Sequence, residues 1–245
     1  MMNVCTRCVM DDSTDTTITF DKEGRCNYCT DALSRMPSEY FPGERGKAKL
    51  EGMMARIKAD GVGYEYDCMV GVSGGVDSSY VVLLGHQFGL RMIAVHFDDG
   101  LDTEVSKKNI SNLCAAANVT LVTLTPNREQ YRDLTLSLFR ASIPNLAIAQ
   151  DNVLLASLER TARELKVRHL LSGSNFALEC ILERGGDVTN ASDGAHLKAI
   201  HKQFGTIPIS DLPLMYLTQR YVLGRYISRT RKHYPLNYID YNLHR

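Results

Sequence analysis

The chain has 245 residues, room for one sizeable domain and a small satellite, and at 44% apolar and 23% charged it has the composition of a folded globular protein. Its 28 basic residues balance 28 acidic ones, so there is no global positive field of the kind that recruits nucleic acid, which argues against a nucleic-acid partner. No run of about eighteen apolar residues occurs, and Met1-Met2-Asn3-Val4-Cys5 does not join a charged start to an apolar stretch. The reading is therefore no membrane span, no secretory signal and a cytoplasmic location.

Residues 1 to about 35 are polar, turn-rich and too poor in apolar side chains to hold a core unaided. They carry Cys5-x2-Cys8 and Cys26-x2-Cys29, separated by seventeen residues, a spacing that fits a closed structural zinc site with four thiolate ligands. Two disulfides are the competing reading, and a reducing compartment argues against them. The remaining cysteines, Cys68, Cys114 and Cys180, are singletons and read as small buried hydrophobes. A linker with Pro37, Pro42, Gly43 and Gly46 follows, then a helix from about Lys47 to Ala59, broken by Gly61 and Gly63. The expected domains are 1–35, a cysteine module; 36–63, linker and helix; and 64–245, the main domain.

From Tyr64 onward strands and helices alternate. Asp67 to Val72 is a short apolar run ending in a glycine-rich turn, and Ser78 to Phe88 is helix-compatible. Arg91 to Phe97 reads as a second buried strand, followed by Asp98-Asp99-Gly100 and a helix to about Ala117. Leu121 to Leu124 is a third strand. Two helical stretches come next, the second with Leu154, Leu158, Ala162 and Leu165 on one face, before a fourth strand at His169 to Gly173. This alternation predicts an α/β fold, a doubly wound, mostly parallel sheet. Ligands of such sheets sit beyond the C-terminal strand ends, where the strand order reverses, and the first and fourth strands are expected side by side there.

Ser73-Gly74-Gly75-Val76-Asp77-Ser78-Ser79, with Val72 before it, lies between the first strand and the first helix of this domain. Backbone N–H groups and the helix dipole make such a turn an anion site. Two adjacent glycines let the backbone approach oxyanions, the hydroxyls add donors, and Asp77 suits a magnesium ion on bound phosphates. A capped strand-to-helix turn is the plainer alternative. No GxxxxGK[ST] is present, which excludes the kinase-type P-loop.

The run resembles the PP-loop of the ATP pyrophosphatases, which cleave ATP to AMP and pyrophosphate; the adenine nucleotide alpha-hydrolase-like fold follows from that resemblance. Gly173-Ser174-Asn175-Phe176-Ala177-Leu178-Glu179 is similar to the segment by which ammonia-dependent NAD synthetases supply a magnesium-binding glutamate, which implies Glu179 beside Asp77 on the metal. His96-Phe97-Asp98-Asp99-Gly100 corresponds to the place where this superfamily binds adenine and ribose, with the Phe97 backbone and Asp98 as candidates; a plain Asp-Gly turn accounts for Asp99-Gly100 as well. His96 reads as packed or hydrogen-bonded at the strand end.

Taken with the cysteine pairs, Val70 to Ser79, Leu171 to Asn175 and Ile200-His201-Lys202-Gln203-Phe204-Gly205 are similar to the N-acetyl sugar amidotransferases of bacterial surface-polysaccharide (lipopolysaccharide O-antigen) biosynthesis. That resemblance implies an enzyme that adenylylates an acetamido group of a nucleotide-sugar and replaces its oxygen with ammonia-derived nitrogen. ATP, magnesium and structural zinc are the implied cofactors, Asp77, Ser78 and Glu179 the catalytic set, and Asn175, Lys198, His201 and Lys202 substrate contacts. Gly185 to Phe204 is polar enough to close over an anionic nucleotide-sugar, or to be a solvated loop. Met1-Met2 does not present a nucleophilic cysteine, and none of Cys68, Cys114 or Cys180 sits in a nucleophile elbow, so ammonia is expected from elsewhere. The resemblance implies a glutaminase subunit and a companion barrel protein like the histidine-pathway pair. A zinc-containing tRNA sulfurtransferase and a non-catalytic ATP-binding protein are the alternatives.

Overall fold

A computed structural model describes residues 2–13, 15–181, 190–222 and 230–242. The chain forms two compact units: Met1–Gly52 with Ser174–Val188 and Tyr234–Arg245, and Met53–Gly173 with Thr189–His233. The first division falls inside a helix, α2 (Glu44–Asp60).

The larger unit is built on a five-stranded sheet, β1 (Cys68–Gly71), β2 (Met92–Phe97), β3 (Thr120–Leu124), β4 (His169–Leu171) and β5 (Arg231–His233). The order is β3-β2-β1-β4-β5 and every pairing is parallel. Helices α3 (Val76–Gln87), α4 (Glu104–Ala116), α5 (Arg128–Arg140), α6 (Ala147–Glu164) and α8 (Gly194–Phe204) complete it. The expected doubly wound parallel sheet is thus present, and β1 lies beside β4 at the point where the order reverses. Val70 pairs with both Ala94 and Leu171, so the turns after β1 and β4 leave the same edge together.

Residues alternate between the two faces of the sheet as strand geometry requires. Met69, Ile93 and Val95 pack with Leu158, Ala162 and Val167 of α6 and the turn after it. Met92 faces α3, close enough to Gly85 that a methyl group there would overlap its sulfur. A second cluster joins Phe97 to Leu134 and Leu138 of α5, Ile148 and Val153 of α6, and Leu197 and Ile200 of α8. Burying each such side chain fully contributes about 1.5–3 kcal/mol.

In the smaller unit α1 (Asn27–Glu39) starts where Cys26 sulfur accepts from Cys29 N and runs through Pro37. Pro37, a linker residue by its sequence context, is helical in the structure. It lies in the last turn of α1, and the helix ends two residues later at Glu39. α7 (Phe176–Glu179) is a single turn capped by Asn175. β5 has no strand signal in the sequence, because its three residues lie at the sheet edge and carry no apolar side chain. Among the described residues no helix is long and apolar enough to cross a membrane.

Candidate nucleotide-binding site and metal centre

β1 is buried through Val70 and gives way to Val72, whose N–H bonds to Val95 O at 2.9 Å. The chain then turns at Ser73-Gly74-Gly75 and enters α3. Gly74 has φ +76°, a left-handed conformation, and a Cβ there would lie 2.7 Å from Ser106 Oγ and 2.8 Å from Ser106 O. Both facts demand glycine. Gly75 is the N-cap of α3 and brings no capping side chain. The hydroxyls of Ser78 and Ser79 donate to Gly75 O at 3.2 and 2.7 Å, so they do not occupy the N–H groups of the first turn. Those groups and the positive end of the dipole suit an oxyanion.

Ser73 and Ser78 hydroxyls meet at 3.2 Å, and Ser73 N–H donates to Ser78 Oγ at 3.2 Å. Val76 is exposed and Asp77 half-buried on the same turn. From β4, Gly173 comes so close to α3 that a Cβ would lie 2.9 Å from Ser78 N and 3.1 Å from Asp77 C. The turns after β1 and β4 therefore share one crevice mouth, as expected for the switch point.

At the end of β2, His96 is buried; its Nδ1 lies 3.0 Å from Val72 O and its Nε2 3.1 Å from Asp102 Oδ2. The carbonyl only accepts, so Nδ1 carries the hydrogen toward Val72. Phe97 turns its ring into the core, edge-on to Tyr131 at 6.2 Å between centroids. Asp98 accepts from Gly100 N at 2.9 Å and pairs with Arg128 at 3.3 Å, so its carboxylate closes the local turn.

The substrate candidates separate. His201 is buried and lies 2.8 Å from Asp133, which also accepts from Thr206 and Ile207 N–H groups. Burial alone would raise the Asp133 carboxyl; these hydrogen bonds outweigh it and hold it well below the usual carboxylate range. Leu197 and Ile200 are buried with His201 on one face of α8, so residues 194–204 form a packed helix and not a solvated loop or lid. The spacing 197, 200 and 201 is the amphipathic signal for it. Lys198 is exposed with its ammonium 5.5 Å from the Tyr216 ring centre, and Lys202 is exposed; Gly185 of the same stretch lies outside the described residues. Asn175 is buried and its side chain accepts from Leu178 N at 2.9 Å, while Phe176 N donates to Asn237 at 2.7 Å. Glu179 is exposed at the end of α7, in the smaller unit, whereas Asp77 belongs to the larger.

Cys5, Cys8, Cys26 and Cys29 bring their sulfurs within 4.8 Å of one another. Cys5 to Cys29 is 3.8 Å and Cys8 to Cys26 is 3.6 Å. Zinc–thiolate bonds of about 2.3 Å give a tetrahedral edge of about 3.8 Å, so the set fits one zinc ion. The thiolates of a four-iron cluster must stand farther apart, because separate iron atoms lie between them. N–H groups of Cys26 and Arg7 point at Cys5 sulfur at 3.1 and 3.4 Å. Burial pushes the Cys5 thiol up, and these donors bring it down to about 6. None of the seven cysteines forms a disulfide.

No protein-family model matches the chain, and no curated protein does. Among solved structures it is similar to an NMN synthetase from Francisella tularensis, at 17% identity and a TM-score of 0.39 over 52% of this chain and 54% of that one. It is also similar to an NH3-dependent NAD synthetase from Campylobacter jejuni subsp. jejuni, at 16% and 0.42 over 64% and 72%. A U34-tRNA thiolase NcsA from Methanococcus maripaludis, solved with its 4Fe-4S cluster, matches at 12% and 0.43 over 97% and 68%. The chain spans about half the length of the NMN synthetase.

Sequence reasoning missed Asp102 and Ser106, whose contacts reach His96 and Ser73. Neither lies in a recognisable motif. Their only signal was position, in the segment that follows β2 toward the C-terminal edge of the sheet.

Proposed function

We propose that this chain is an ATP-dependent enzyme of the PP-loop type that converts an acetamido group of a nucleotide-sugar into an acetamidino group. The observation that carries the reading is the turn at Ser73–Ser79. It leaves a strand beside the switch point, needs a left-handed glycine at 74, and opens a helix whose first-turn hydroxyls bond backward to Gly75 O. Such a cradle suits the oxyanions of a triphosphate. Asp77, a hard oxygen donor in that turn, would hold magnesium, which when bound offsets charge on departing pyrophosphate.

The reaction balances in two steps. The amide oxygen attacks the α-phosphorus of ATP, the α–β anhydride bond breaks and pyrophosphate leaves. Ammonia then adds to the imidate carbon, loses a proton, and AMP departs with the former amide oxygen. The N–H groups of the turn and the Ser73 hydroxyl would stabilise charge on the phosphates. Ammonia comes from a separate glutaminase and its companion barrel protein, in the cytoplasm, with zinc on the four cysteines as structural support.

The competing sulfur-transfer reading asks for a reactive thiol near the turn. Cys68 and Cys114, the cysteines of the larger unit, are buried, and burial pushes both thiols up. The test is incubation of purified protein with magnesium, ATP and ammonium, together with either a panel of UDP-acetamido sugars or total tRNA. AMP and pyrophosphate formed only with a sugar, and a product mass reflecting exchange of O for NH, support the proposal. ADP and phosphate, or turnover with tRNA alone, refute it.

A further inference from the structure

A phosphate cradle works only if its N–H groups face one way, and side chains outside the turn control that direction here. Val72 O accepts from His96 Nδ1 at 3.0 Å, and Asp102 holds the other ring nitrogen at 3.1 Å. Ser73 O accepts from Ser106 Oγ at 3.1 Å. Two consecutive carbonyls are thus drawn back, one to the end of β2 and one to the first turn of α4.

In a trans peptide the carbonyl and the following N–H point in opposite directions. Drawing Val72 O toward His96 therefore turns Ser73 N–H the other way, and its 3.2 Å bond to Ser78 Oγ lies where that rule puts it. One peptide later, drawing Ser73 O toward Ser106 turns Gly74 N–H away from α4. Gly74 itself rests on Ser106 with no space for a Cβ. The first turn of α4 is fixed in its own right, because Thr103 Oγ1 caps Ser106 N at 3.1 Å.

We infer that Ser106, and His96 held by Asp102, are positioning residues: Ser106 aims the Gly74 amide at the outer phosphates of ATP, and His96 fixes the preceding peptide, whose Ser73 N–H is held on Ser78 Oγ. They act through the backbone of the turn and touch no nucleotide. The inference rests on the proposed ATP reading. A residue that only filled space would affect AMP and ATP alike, whereas an aiming residue affects the ligand that carries the β- and γ-phosphates.

The test is calorimetric titration of the full chain with magnesium-ATP and, separately, AMP. The variants are Ser106→Ala and His96→Phe, which remove the donors, and Ser106→Thr and His96→Asn, which restore a donor to the same carbonyl. Removal is expected to weaken ATP about tenfold while AMP affinity stays, as loss of one well-placed hydrogen bond would. The restoring variants should recover most of that. If His96→Phe melts early, Ser106→Ala alone decides, since Ser106 is only half-buried. An unchanged ATP-to-AMP ratio in Ser106→Ala overturns the inference and leaves the ATP reading standing. A wild-type chain with no preference for ATP over AMP overturns the ATP reading, and this inference with it.

Discussion

Between Met2 and Asp31 the buried described residues are Cys5, Asp15, Ile18, Cys26 and Cys29, whereas every residue from Cys68 to Val70 and from Met92 to Phe97 is buried. The first region has almost no apolar volume to remove from water. Its order comes from turns, from Asp15 accepting Thr17 and Tyr28, and from four sulfurs collected at one point. The second is a sheet covered on both faces by packed helices. The contrast teaches that a short polar segment can be as specific in geometry as a core, but only with a ligand supplying the energy.

The largest effect should come from withdrawing that ligand. Strong chelator, or Cys26→Ser, is expected to cost on the order of 10 kcal/mol of apparent stability in the cysteine module. Hydrogen exchange should rise across residues 2–31 while β1 and β2 stay protected. Metal analysis should find about one zinc per chain in the intact protein. Iron and sulfide in place of zinc, or unchanged exchange after chelation, would break the comparison from this side.

Leu134→Ala attacks the other side. Leu134 is fully buried in the cluster of α5, α6 and α8, and truncation should cost about 2–5 kcal/mol, read as a lower urea midpoint, with zinc content unchanged. Coupled loss of zinc would show that the two regions unfold as one.

Asp77→Asn sharpens the distinction between holding the fold and doing chemistry. The side chain is half-buried in the first turn of α3, where loss of its charge costs about 0.3–1 kcal/mol through the helix dipole. Pyrophosphate release should fall at least about a hundredfold, the scale of a lost electrostatic contact at a reacting group. Equal loss of melting temperature and activity would count against the catalytic role.

The smallest effect concerns pH. Burial lowers His169 against the pull of Asp60, and burial lowers His233 to about 4, helped by the proximity of His169, Arg231 and Arg56. His169 Nδ1 and His233 Nε2 are 2.9 Å apart, and His169 also reaches Asp60 at 3.0 Å. Folded-state values below the unfolded value of about 6.5 mean that the unfolded chain binds protons first. Stability is therefore present above about pH 6.5 and declines as pH falls toward 4. His233→Gln should flatten the urea midpoint over that window relative to wild type; parallel curves would exclude the pair as its cause.

Much of this was open to a reader of the sequence. Cys5-x2-Cys8 and Cys26-x2-Cys29 announce a tetrahedral set because tight turns force two sulfurs per pair onto one point. The turn at Ser73–Ser79 announces itself because adjacent glycines after a buried strand have few other uses. The bounds of β2 differ by one residue from the apolar run Arg91 to Phe97, and the apolar face at Leu154, Leu158 and Ala162 lies in α6, since both patterns are long and apolar. The packed face of α8 is also written in the spacing 197, 200 and 201.

What only the tertiary structure decided involves partners far apart in the chain. Nothing local in Arg231–His233 says strand; it becomes one because β4 offers an open edge. His201 is a buried partner of Asp133 because α8 packs on α5, and Ser106 reaches Ser73 across thirty-three positions. Local sequence determined turns, helices and ligand spacing, because their energies come from residues within a few positions of one another. The aim of the phosphate turn depends on contacts that exist only once β2, α4 and β1 are assembled, and so it waited on the fold.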